Sequence, residues 1–448
     1  MKFNDLKNAL FLSCLVLIGF TSCSKDNALQ LPVVNIESSS AFENHSVSIP
    51  QDEVLKLSAG VKSLSDVATV QWTVNGVQSS TASQFDFSSA EVGDYMIKLA
   101  VTNYDGTTTD SLKVSVYGKY RDGIFVLNEG NMTSENGFIT FISNKGEVTD
   151  SAYYKVNKTF IGNVTQDLFI ANKKLYVIAQ NGSRMGGDGT LVVANAETLK
   201  KEAAYNDELS KLSWPTHLAV VDKNVYIRDN AGVYLFNTDS KSLSFIDGTD
   251  GALKNTMAVV GGKVFVPARK AVLVLQNGKL LESVAMPGAV SGVVKSKDGN
   301  IWVSCTTSPA QIIKMNSSNY SLTSNELPTG VRIGAGWGAT SGISAKGDTI
   351  YFSNASSKVY RHIFSGKRTD LLTDVKPLIA NFGMLYNNLA VDPATGHIYI
   401  TTIKGYGMSF LINDITVWQD AGTELKMVSD YKNYIHFPAG TFFTENYK

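Results

Sequence analysis

Cysteine is nearly absent from this chain of 448 residues, with three in all: Cys14, Cys23 and Cys305. Two sit close to the N-terminus and the third is alone, which excludes a disulfide framework and a cysteine-based metal site. Cys305 then reads as a small buried apolar residue. Histidine is sparse too: His45, His217, His362, His397 and His436 make no His-Glu-x-x-His or similar zinc spacing. Net charge is missing, with 40 Lys plus Arg against 40 Asp plus Glu and no basic block, so a nucleic-acid-binding stripe is excluded. Beyond the N-terminus no apolar run is long enough to cross a bilayer as a helix. There is no Gly-x-Ser-x-Gly elbow, phosphate-cradling Gly-Lys-Ser/Thr loop, Asp-rich calcium loop or dinucleotide fingerprint opening a helix. Gly334-Ala335-Gly336-Trp337-Gly338 is glycine-rich, but a strand pattern follows it. No catalytic residues, metal or cofactor are expected, although an active site built from single residues on separate repeats would leave no spacing to read.

What is present is a repeat. An aliphatic-aromatic-aliphatic or similar triplet recurs seven times: Ile124-Phe125-Val126, Leu175-Tyr176-Val177, Val225-Tyr226-Ile227, Val264-Phe265-Val266, Ile301-Trp302-Val303, Ile350-Tyr351-Phe352 and Ile398-Tyr399-Ile400. The aromatics lie about 46 residues apart on average, the length of a four-stranded propeller blade. Most triplets follow an apolar strand and a tight turn, as in Ala258-Val259-Val260 before Gly261-Gly262, and a third apolar strand comes after, as in Val272-Leu273-Val274-Leu275. The first repeat lacks an inner strand of its own. Ala439-Gly440-Thr441-Phe442-Phe443 near the C-terminus supplies one, so the C-terminal strand is expected to close the ring and remove an open sheet edge. The fold class is therefore all-β, with a seven-bladed β-propeller over residues 119–448.

Before it, Val70-Gln71-Trp72-Thr73-Val74 with an Asn75-Gly76 turn, and the alternating runs around Tyr95 and Val114, mark a separate unit over residues 33–118. A central Trp strand, a Gly-x-Tyr strand and a final alternating strand resemble a PKD-like, immunoglobulin-like sandwich, which implies a spacer. Lys2 and Lys7 precede an apolar run over residues 9–20, the length of a signal-peptide core. Small residues before Cys23 resemble a lipobox, making 1–22 a lipoprotein signal, Cys23 the lipidated residue and 23–32 a tether. Ser24-Lys25-Asp26-Asn27 resembles a surface-export signal of Bacteroidota lipoproteins, which implies an outer-membrane anchor facing the cell exterior.

In a propeller, the loops leading into the inner strands and out of the second strands gather on one axial face. Here they carry Asn128, Glu129, Gln166, Asp167, Arg184, Trp214, His217, Arg228, Arg269, Arg332, Trp337, Tyr386, Asn387, Tyr406, Tyr434 and His436. Aromatics supply stacking area, while Arg and Asn supply directed hydrogen bonds, a set suited to a large, polar, partly planar ligand. Trp337, with little bulk around it, is the expected stacking residue. Gln166 and Asp167 have an equally good use in bonding the backbone, and His217 and His436 are more often structural than ligand-binding.

Leu127-Asn128-Glu129-Gly130-Asn131, then Asn163-Val164-Thr165-Gln166-Asp167, resemble the YncE-type surface propellers of Bacteroidota over residues 121–448. Some relatives capture corrinoids and pass them to a TonB-dependent transporter. The resemblance thus implies nutrient capture, with a cobalamin-type corrinoid as the favoured cargo. A glycan-binding propeller, a protein-protein adhesion scaffold and a propeller enzyme of lactonase or quinoprotein type are the alternatives.

Overall fold

A computed structural model describes residues 29–336 and 340–447. The expected signal peptide, Cys23, the start of the tether and Trp337 lie outside the described residues. The chain divides into two compact units, with the boundary between Val116 and Tyr117.

In the first unit, alternation along the strands produces two antiparallel sheets. One holds Val33–Glu37, Leu55–Lys62 and Gln84–Phe87. The other holds five strands in the order Ser46–Pro50, Gly106–Tyr117, Gly93–Asn103, Val67–Val74 and Val77–Ser80. Within Gly93–Asn103, Ile97, Leu99 and Val101 are buried while Met96 and Lys98 are exposed, the period of two that gives a sheet one apolar face. Those residues pack with Leu57, Phe87, Leu112 and the fully buried Trp72, whose indole Nε1 donates to the Ala82 carbonyl at 2.9 Å. Asn75 and Gly76 both have positive φ, at 50° and 83°, which lets a two-residue hairpin follow the Trp strand.

In the second unit the described residues form seven antiparallel sheets of four or five strands, a β-propeller-like arrangement. Six take their strands consecutively, for example Ala258–Val260, Lys263–Pro267, Ala271–Gln276 and Lys279–Ala285 in the fourth. The first is completed from the far end of the chain. Pro438–Phe443 pairs antiparallel with Gly123–Asn128 and stands inside it, with Phe442 opposite Phe125.

The triplet explains how the sheets stack. Because side chains alternate across a strand, the central aromatic faces one neighbouring sheet and its two flanking residues face the other. Phe125 shares a core with Leu175 and Val177, and Tyr176 with Val225 and Ile227. Tyr226 packs with Val264 and Val266, and Phe265 with Ile301 and Val303. Trp302 packs with Ile350 and Phe352, and Tyr351 with Ile398 and Ile400. Tyr399 returns to Ile124 and Val126 of the first sheet. Each sheet thus inserts a ring between two branched or bulky residues of the next, and the seventh does so to the first. Cys305 lies in one of these cores, fully buried, and burial pushes its thiol up to about 11.

Two local features depart from the simple repeat. The outermost strand of the first sheet is only Val148–Thr149, and a short helix, Ala152–Asn157, follows it and buries Ala152 and Tyr153. The innermost strand of the seventh sheet is split into Met384–Leu385 and Ala390–Val391, both paired with Ile398–Ile403. Between them Asn387 takes a φ of 67° and turns its amide toward the C-terminal strand.

Candidate functional site

The innermost strands line a cavity of about 1080 Å³. Gln166, His217, Asn388 and Ala439 stand at one end, and Lys297, Lys346 and Pro393 at the hairpin end. The walls between are largely aliphatic, with Ile170, Val259, Val293 and Ala390. Tyr447 lies against the wall, its ring edge-on to Phe169 at 5.2 Å and its hydroxyl donating to the Leu168 carbonyl at 3.4 Å.

At the first end, polar groups tie each sheet to the next. Thr165 Oγ1 donates to the Asn128 carbonyl at 2.5 Å, and Asp167 Oδ2 accepts the Leu218 amide at 3.1 Å. Arg228 donates to the Ala252 carbonyl, and Asn255 Nδ2 to the Ser291 carbonyl at 2.9 Å. The Gly342 amide donates to the same Ser291 carbonyl at 2.7 Å, and Asn388 Nδ2 to the Gly334 carbonyl at 2.7 Å. Asn387 Nδ2 closes the belt on the Pro438 carbonyl at 2.6 Å. Every sheet interface carries such a tie.

Four of the expected site residues belong to this belt or its supports: Asn128, Asp167, Arg228 and Asn387. Asn128 is fully buried and its Oδ1 accepts the His436 amide at 3.0 Å. Asp167 also accepts the Leu168 amide at 2.9 Å, yet burial outweighs both amides and pushes its carboxyl up to about 7. His217 is buried at the cavity end.

Glu129, Arg228, Lys254 and Tyr386 gather next to Gln166, which also lines the cavity, in a polar cluster that forms the mouth of the site. Burial pushes the Glu129 carboxyl up to about 7, against the opposing pull of Lys254 and a hydrogen bond with Gln166. Burial draws the Lys254 ammonium below its usual range, aided by Arg228 and opposed by Glu129. Tyr386 is buried, sits in the field of Glu129 and Tyr406, and is held neutral, its hydroxyl pushed well above the usual range chiefly by burial. Gln166 is buried, and its Oε1 has no hydrogen-bond partner among the described residues. Ionisable groups shifted together by burial and by one another make this cluster the candidate site.

Other expected residues stand apart from this cluster. His436 is clamped: its Nδ1 lies 2.9 Å from the Glu135 carboxylate and its ring is edge-on to Phe138 and Phe410. Tyr434 is half-buried against the core between the seventh and first sheets. Tyr406 is 55% exposed and stacks on Phe437 with ring centroids 6.1 Å apart, and Trp214 is 57% exposed. Arg184, Arg269 and Arg332 are exposed on separate loops. Lys254 is the residue missed from sequence. A single lysine in a loop between repeats belongs to no motif, and only the ring brings it to Glu129.

The fold is that of a β-propeller-like all-β protein, with this polar cluster as its candidate site. Residues 122–444 match the family described as Domain of unknown function (DUF5074), and the chain belongs to that family. Among solved structures it is similar to a quinonprotein alcohol dehydrogenase-like protein (BT1487) of Bacteroides thetaiotaomicron. That pair is 16% identical with a TM-score of 0.51, covering 92% of this chain and 99% of the other, a likeness of fold. PorZ, a surface component of the type-IX secretion system of Porphyromonas gingivalis, is 11% identical with a TM-score of 0.38, covering 76% of this chain and 44% of PorZ. No curated protein matches the chain.

Proposed function

We propose that this chain is a ligand-capturing surface lipoprotein: a seven-bladed YncE-type propeller that binds without chemistry, held off the outer membrane by a PKD-like, immunoglobulin-like spacer and a lipid on Cys23. The cyclic packing of seven sheets supports the blade count. The two sheets around Trp72 support the sandwich. The lipobox-like and export-like sequences support the anchor and its outward orientation.

The observation that carries the binding reading is the mouth itself. Glu129, Lys254, Arg228 and Tyr386 are partly desolvated together beside Gln166, which lines one end of a cavity with mostly aliphatic walls. Polar anchors over an apolar well suit a ligand with a polar rim and an apolar body. The cargo proposed from the propeller resemblance is a cobalamin-type corrinoid, passed to a TonB-dependent transporter. Calorimetric titration of the purified chain with cyanocobalamin tests it: saturable one-to-one binding supports the cargo, and a flat titration of folded protein removes it and leaves glycan or protein ligands. One feature favours an enzyme of lactonase or quinoprotein type instead, namely a carboxyl held near neutrality beside a cation. Turnover of a lactone or alcohol that is lost in Glu129→Gln would replace capture with catalysis.

A further inference from the structure

The charges at the mouth do not neutralise one another by contact. Arg228 donates Nε and Nη2 to the Ala252 carbonyl, both at 3.4 Å, and Nη1 to Thr216 Oγ1 at 3.2 Å. These acceptors are neutral, and a guanidinium has further N–H donors to give. The adjacent acid is already engaged: Asp229 Oδ1 accepts the amides of Ala231 and Gly232, and Oδ2 accepts that of Ser213. Lys254, two residues beyond the carbonyl that holds Arg228, is half-buried and makes no hydrogen bond or ion pair with any described residue. Glu129 is in its field but outside ion-pair distance. Two partly desolvated cations that raise each other's energy are stabilised when an anion enters between them, and a guanidinium beside an ammonium is the usual protein donor set for an oxyanion.

We propose that Lys254 and Arg228 form an oxyanion subsite at the axial mouth, which takes a sulfate, phosphate or carboxylate group of the ligand. The proposal rests on the ligand-binding reading above and adds the chemical class of the anchoring group. Glu129 is its gate. Glu129 is in the field of Lys254 and interacts with Tyr386, with Arg228 acting on Lys254, Tyr406 on Tyr386, and the His436–Glu135 pair on the adjoining segment. When Glu129 is protonated the two cations act on the incoming anion alone. When it ionises, a carboxylate competes for Lys254. Affinity for an anion of constant charge therefore falls as pH rises through about 7.

The test is calorimetric titration of the full chain with sodium sulfate and then sodium acetate at fixed ionic strength, from about pH 6 to about pH 8. At least one anion should bind saturably, more weakly at the higher pH. Preference for sulfate assigns a phosphate- or sulfate-type group, and preference for acetate a carboxylate. Lys254→Gln, which gives up no hydrogen bond, should weaken binding about tenfold or more with an unchanged melting temperature. Arg228→Lys should weaken it as well, whereas Lys279→Gln, exposed on an outer strand, should leave it as in the parent. Absence of saturable binding by either anion, or full binding in Lys254→Gln, overturns the subsite. Cyanocobalamin titrated into the same samples keeps the two readings apart. Sulfate binding without cobalamin binding removes the cargo alone, and the reverse removes the subsite alone.

Discussion

Glu129 and Asp167 are carboxyls that burial holds near neutrality, but the two differ in use. Asp167 gives both oxygens to backbone amides, whereas Glu129 meets Gln166 and the field of Lys254. The folded protein favours protonated Glu129, so this residue's contribution to stability is complete below about pH 4.5 and is lost as pH rises through about 7. Glu129→Gln should therefore melt like the parent at the acid end of that window and higher than it at the alkaline end, as paired melting curves across pH will record. Asn387 belongs to the belt, with its amide on the carbonyls of Pro438 and Ala439. Asn387→Ala should cost about 1–3 kcal/mol in denaturant melts, because it leaves buried carbonyls unpaired, while the exposed Arg269→Ala should change stability by less than about 0.5 kcal/mol. At this scale sequence reading is weakest. A buried polar residue that ties sheets together and one that faces a ligand have the same composition, and only hydrogen-bond partners separate Asn387 from Glu129.

The triplet strand is the element on which the second unit is built, and it was legible because its period of two is local. Val264-Phe265-Val266 shows its aromatic and its flanking residues on opposite faces before any contact is known. The helix Ala152–Asn157 was not legible, since six residues without a side-chain cap carry little local signal and are held by burial of Ala152 and Tyr153. Nor was the break in the seventh inner strand, which exists because Asn387 and Asn388 turn to neighbouring sheets. Phe265 fills a core shared by two sheets, so Phe265→Ala should cost about 3–5 kcal/mol in denaturant unfolding; a loss below about 1 kcal/mol would contradict the interlocking. Pro438–Phe443 is the inner strand of the first sheet, and a chain ending at Tyr434 should be aggregated or fail to melt cooperatively. A soluble truncation with a sharp transition would show that the sheets hold without closure.

Across the whole molecule, the closing strand and the mouth are linked. Asn387 reaches the C-terminal strand, the Glu129 amide donates to the Phe437 carbonyl just before that strand, and Gln166 leads into the second sheet. Residues that are remote in the chain meet there because the seventh sheet returns to the first. Linear sequence located the loops but could not rank their residues, and it passed over Lys254. The cavity has two ends of different character: one with Gln166, beside Glu129 and Lys254, and the hairpin end with Lys295 and Lys297. Lysine footprinting by mass spectrometry, with and without saturating cyanocobalamin, tests the binding claim most directly. The ligand should shield Lys254 while Lys295 and Lys297 keep their reactivity. Unchanged reactivity at Lys254, or shielding confined to Lys295 and Lys297, would contradict it.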